Sequence, residues 1–103
     1  MNVANQDPNW SSFRAGHSPG DRVSGEVVLR VPYGFWLDIG GVYGLVEIIC
    51  FRDGPGPPVQ IADFPQLGTK VEAVVLGFHD ASKEVRLSTR ASDLAKANGA
   101  PGP

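Results

Sequence analysis

The chain has 103 residues, 42% of them hydrophobic, with 13 glycines and 9 prolines. That is enough for one domain with a modest core, and the turn-forming residues favour short strands over long helices. Nine Lys and Arg against eleven Asp and Glu leave a formal charge of -2, which excludes a strongly basic, phosphate-driven nucleic-acid binder but not a local basic patch.

A single cysteine, Cys50, rules out an intramolecular disulfide and sits among apolar neighbours, as buried, inert thiols do. The opening Met1 to Asp7 lacks the basic region and apolar run of a secretion signal, and no apolar run is long enough to cross a bilayer. A soluble, cytoplasmic protein without membrane partners is expected.

Residues 1–19 read as a flexible N-terminal tail, polar and broken by Asp7-Pro8 and Ser18-Pro19. Trp10 and Phe13 stand out there. They are expected either to clip the tail onto the domain or to offer an extra stacking contact. His17 has no companion at ligand spacing and is expected in a solvated loop. The first strand spans about Asp21 to Val31, with Val23, Gly25, Val27, Leu29 and Val31 on one face and Arg22, Ser24, Glu26, Val28 and Arg30 on the other. Gly25 marks a bulge or sharp coil of the kind that curls a small sheet into a barrel.

Tyr33-Gly34 turns into a second strand, Phe35 to Ile39, whose alternation puts Phe35, Leu37 and Ile39 in the core and Trp36 and Asp38 on the opposite face. Gly40-Gly41 makes the next turn, and Tyr43 flanks it at the surface. The third strand, about Val42 to Cys50, is apolar on both faces apart from Glu47, so pattern alone leaves its inward face open. Phe51 to Lys70 is a long connection. Its Arg52 to Pro58 segment is a proline-rich surface loop, and Val59 to Phe64 forms a short helical turn with Ile61 and Phe64 plugging the barrel end.

The fourth strand runs from Thr69 to Phe78, a polar turn from His79 to Lys83, and the fifth strand from Glu84 to Ser88. A frayed helical turn over Ser92 to Asn98, capped by Ser92 or Asp93, leads into a disordered Gly99 to Pro103. The fold class is therefore all-β: a five-stranded antiparallel barrel of the oligonucleotide/oligosaccharide-binding (OB) type over residues 20–90, with flexible tails at 1–19 and 91–103. An SH3-like barrel is the competing topology.

Gly20-Asp21-Arg22-Val23-Ser24-Gly25-Glu26-Val27, then Tyr33-Gly34-Phe35-Trp36-Leu37-Asp38-Ile39, then Gly44-Leu45-Val46-Glu47-Ile48 resembles the S-one domain. Leu67-Gly68-Thr69-Lys70-Val71 and Asp80 through Arg86-Leu87-Ser88 continue the match, which covers about Gly20 to Arg90. The family is the RNA-binding barrel repeated in the largest protein of the small ribosomal subunit. It occurs also in polynucleotide phosphorylase, ribonuclease E and bacterial initiation factor one. The resemblance implies a face that binds single-stranded RNA through two aromatics, a histidine, an aspartate and an arginine. Carried over by position, these fall on Tyr33, Trp36, Glu47, Asp80 and Arg86, with Glu47 where the family has histidine. Ile49 and Cys50 replace the serine and acidic residue that usually follow.

Stacking on aromatics tolerates any base sequence, so a weak RNA contact with little sequence preference is the expectation. A protein-interaction module on the same barrel is the alternative, motivated by Leu45, Glu47, Ile49 and the proline-rich loop. No paired carboxylates, nucleophile with base, or ligand-spaced histidines stand out, so neither catalysis nor a cofactor or metal is expected. The expected protein is a monomer whose partner is RNA, with a protein partner or the ribosome beside it.

Overall fold

The computed structural model describes residues 5–97. Five strands, β1 (Arg22–Val31), β2 (Gly34–Asp38), β3 (Tyr43–Glu47), β4 (Lys70–His79) and β5 (Glu84–Ser88), close into a barrel in the order β1-β2-β3-β5-β4. This is the OB-type arrangement rather than the SH3-like one. One seam differs from expectation: β3 and β5 are parallel, with Leu45 registered on Arg86, so the barrel is mixed rather than wholly antiparallel. The long connection between β3 and β4 allows it, because it carries the chain across the barrel instead of turning back in a hairpin.

β1 pairs with both of its neighbours, β4 through its first half and β2 through its second, and Glu26 belongs to both ladders. Gly25 sits at this handover. A Cβ there would lie 2.7 Å from the Asp38 carbonyl oxygen, so no larger residue fits the coil. The bulge itself falls later, between Val27 and Leu29. It resets the alternation: Val27 is buried inside, Leu29 moves to the face of its partner Trp36, and Arg30 takes the face of Phe35. Leu29 is thus not the core residue that simple alternation predicts. Arg30 crosses the barrel end, where its guanidinium donates to the carbonyls of Ile61 and Phe64 (3.2 Å to Phe64).

Phe35, Leu37, Val46, Val75, Val85 and Leu87 fill the interior. At one end Phe51 packs edge to face on Phe35 and Phe64, which are tilted against each other, with centroids 5.2 to 5.7 Å apart. Phe64 is the plug of that end. Ile61 is exposed instead, because it opens the 3-10 turn Ile61–Asp63 on the outer surface. The β3 pairing settles its inward face: Val46 opposes Phe35, leaving Leu45 and Glu47 outside, and the chain passes into a 3-10 turn over Ile48–Cys50.

Residues 9–16, expected in the tail, form helix α1 (Asn9–Gly16). Pro8 precedes it, Gly16 ends it, and the Ser11 hydroxyl donates to the Asp7 carboxylate at 2.9 Å. Trp10 and Phe13 lie on one helix face and are buried, both edge-on to Phe78 of β4. His17 is not a free loop side chain either: its ring stacks on Phe13 with centroids 3.8 Å apart. Polar contacts fasten the same segment. Arg14 pairs with Asp80 at 3.0 Å and Lys83 with Asp7 at 2.7 Å. Buried Asn5 accepts the Tyr43 amide at 2.6 Å and donates to the carbonyls of Tyr43 and Lys83. Residues 1–4 and 98–103, with the Gly99 to Pro103 expectation, lie outside the described residues.

At the other terminus, α2 (Ala91–Ala95) has Arg90 rather than Ser92 or Asp93 at its cap position. Ser92 is held by the Asp53 carboxylate, which accepts its amide at 3.1 Å. The Ser88 hydroxyl donates to Asp93 at 2.6 Å, and Arg90 donates to the same carboxylate at 2.7 Å.

Two predictions follow from this packing. Phe13→Ala should cost about 3 kcal/mol, as truncation of a buried aromatic does; urea unfolding would measure it, and a loss below about 1 kcal/mol would show that α1 does not belong to the core. The second concerns acid. The Lys83 ammonium holds Asp7 below the ordinary 3.8, the Ser92 hydroxyl does so for Asp53, and the Ser88 hydroxyl with Arg90 does so for Asp93. Folded values below unfolded ones give stability that is full above 3.8 and lost as pH falls through the folded values. The Ser92 amide should therefore keep its chemical shift down to about pH 4 and move towards its unbonded value below that.

Candidate nucleic-acid interface

The outer face of β2, β3 and β5 is organised in rows by the strand pairing. One row reads Leu29, Trp36, Leu45, Arg86 and Gly77, each registered on the next. A second bulge, between Val75 and Gly77, brings the glycine rather than Leu76 beside Arg86. A Cβ built on Gly77 meets nothing within 4 Å, so the side of Arg86 facing β4 is open.

Tyr33 stands at one end of this face. The turn that presents it is tight: a Cβ on Gly34 would lie 2.2 Å from the Val46 carbonyl oxygen, so only glycine permits the approach to β3. The Tyr33 carbonyl accepts the Ile48 amide at 2.8 Å, and Gly34 is registered on Glu47, which places Tyr33 and Glu47 at the same end. Tyr33 is 54% exposed and its ring is available to a flat partner.

Trp36 departs from the open platform that strand alternation implies. It does point away from the barrel interior, yet only 5% of it is exposed, and its neighbour Leu45 is buried with it. The bulge in β1 explains the difference, because it turns Leu29 onto this face beside the indole. Trp36 Nε1 is buried without a hydrogen-bond partner in the protein. The residue floors the face; it does not stand up from it.

Arg86 lies between two acids. One terminal nitrogen pairs with Glu47 Oε1, and the other is 3.7 Å from Glu84 Oε1. Its Nε is buried without a protein partner. Glu47, at the position where histidine was the family expectation, is thus the principal ion-pair partner of the arginine. Both side chains are part-exposed, so their attraction contributes little to stability. Asp80 is not in this group. It occupies the β4–β5 turn beyond the His79–Glu84 pair, and its carboxylate is taken by Arg14 of α1. The structure therefore gathers Tyr33, Trp36, Glu47 and Arg86 and leaves Asp80 apart. Glu84 joins the set as well, as its spacing two residues before Arg86 on one strand implies.

Burial pushes the Cys50 thiol up, which suits an inert core residue. Among the described residues no three of His, Cys, Asp and Glu are grouped to hold a metal ion, and no helix is long and apolar enough to cross a membrane.

No family model matches the chain, and no curated protein matches it. Solved structures do. A chain of the a/eIF2alpha–aDim2p–rRNA complex from Pyrococcus horikoshii OT3 is 24% identical with a TM-score of 0.62, over 72% of this chain and 45% of that one. The intact alpha subunit of aIF2 from Pyrococcus abyssi is 24% identical with a TM-score of 0.61, over 73% of this chain and 29% of that one. GSP13 from Bacillus subtilis, solved in solution, is 24% identical with a TM-score of 0.65, over 84% of this chain and 66% of that one. The chain spans less than half the length of either archaeal protein. At this level of identity the likeness establishes the fold, a closed five-stranded barrel of OB type.

Proposed function

We propose that the chain is a non-catalytic S-one type module that binds single-stranded RNA across the outer face of β2, β3 and β5. The observation that carries this reading is one exposed aromatic ring and one part-exposed guanidinium at the outer face of an OB-type barrel: Tyr33 and Arg86. Tyr33 stacks on a base, Arg86 donates to a base or phosphate, and Trp36 supports the face from below. One of the similar folds was solved in a complex that contains rRNA, which supports the same direction. Glu47 and Glu84 beside the arginine, and the overall charge of -2, make the contact weak and its salt dependence shallow. The module works as a soluble cytoplasmic monomer, alone or beside the ribosome.

A second reading has its own observation. Ile49 is 73% exposed, one residue from the amide that bonds Tyr33 and two from Glu47. An apolar side chain next to an acid suits a protein partner better than a phosphate chain.

Titration of a short single-stranded RNA, followed by amide and side-chain shifts, decides between them. RNA binding moves the resonances of Tyr33 and Arg86, and Tyr33→Ala weakens affinity about tenfold, within the range for loss of one stacking contact. Flat shifts at Tyr33 and Arg86 at the highest RNA concentration would sink the RNA reading and leave the protein-partner one.

A further inference from the structure

Arg86 is the cation of the central outer row, and both of its terminal nitrogens are turned towards carboxylates. A phosphate approaching it meets Glu47 and Glu84 at the same guanidinium, and like charges at that range repel. A neutral base meets no such barrier. It meets hydrogen-bond acceptors beside hydrogen-bond donors.

The inventory is specific. A guanidinium carries five N–H groups. One each from two terminal nitrogens faces Glu47 and Glu84, which leaves the second N–H of each terminal nitrogen unused on a side chain that is 34% exposed. The Glu47 carboxylate gives one oxygen to Arg86 and is 40% exposed, so acceptor positions remain towards solvent. Among unpaired bases, guanine alone presents two adjacent donors, N1–H and the 2-amino group, next to an acceptor, O6. Its donor pair matches the carboxylate, and its O6 matches the guanidinium. Cytosine offers one amino donor, and uracil sets a single imino donor between two carbonyls that a carboxylate repels.

Space and stacking are both provided. The Glu47 and Arg86 side chains are 40% and 34% exposed, so their shared edge faces solvent, and Tyr33 stands at the same end of the face as Glu47. Resting on the RNA-binding reading above, we propose that Glu47 is a specificity-determining residue that makes Arg86 part of a guanine-reading pair rather than a phosphate contact. The loss of electrostatic affinity and the gain of base selectivity then have one cause.

The test uses the full chain and pentamers UUGUU, UUIUU with inosine, and UUUUU, with binding read by fluorescence anisotropy at low salt. The wild type should prefer UUGUU over UUUUU about tenfold, in the range for one good bidentate base contact. Inosine lacks the 2-amino donor and should fall between. Glu47→Gln, checked for an intact fold by its amide spectrum, should lose most of the preference and bind UUUUU more tightly than the wild type does. Equal binding of the three pentamers by the wild type, or an unchanged preference in Glu47→Gln, overturns the guanine proposal and leaves RNA binding standing. If neither protein binds any pentamer, the RNA reading itself falls and takes this inference with it.

Discussion

The architecture turns on the contact between Gly25 and the Asp38 carbonyl. One strand must serve two neighbours for five strands to close, and β1 does so by coiling where no side chain intervenes. A methyl group 2.7 Å from that carbonyl would separate β1 from β2 and open the barrel. The bulge that follows is a second adjustment in the same strand. It sends Leu29 outward against Trp36 and Arg30 to the barrel end, so the floor of the outer face and the lid of the interior come from one irregularity.

That origin explains what could be read from the sequence and what could not. Alternation in β1, β2 and β5 is clean enough to locate the strands and most of the core, and the long connection implied an OB-type order. The bulge at Val27 to Leu29 leaves no mark in composition, because valine, leucine and arginine are all acceptable on either side of it. Trp36 therefore lies on the face that alternation gives it, while its depth there depends on a bulge that the pattern does not show. Helix α1 escaped for another reason. Its apolar stripe consists of Trp10 and Phe13 alone, too few to establish a period, and its stability derives from packing on Phe78. Asn5 carries no motif at all; its role exists only once Tyr43 and Lys83 are brought together.

The outer face illustrates how position and chemistry separate. The pairing places Tyr33, Glu47 and Arg86 together much as the family resemblance implies, and Asp80 is drawn off by Arg14. With Glu47 and Glu84 both beside Arg86, however, the same arrangement holds two negative charges against one positive. Its strength as an attractor of polyanions falls accordingly.

The ties of Asn5 join parts of the chain that lie far apart in sequence. Its side chain bonds to Tyr43 and to Lys83, residues 38 and 78 positions away along the chain. Tyr43 belongs to β3, and Lys83 to the turn between β4 and β5. The same turn also holds Asp7 through Lys83 and Arg14 through Asp80. Loosening that one turn therefore releases the amino-terminal segment at Asn5, Asp7 and Arg14 together.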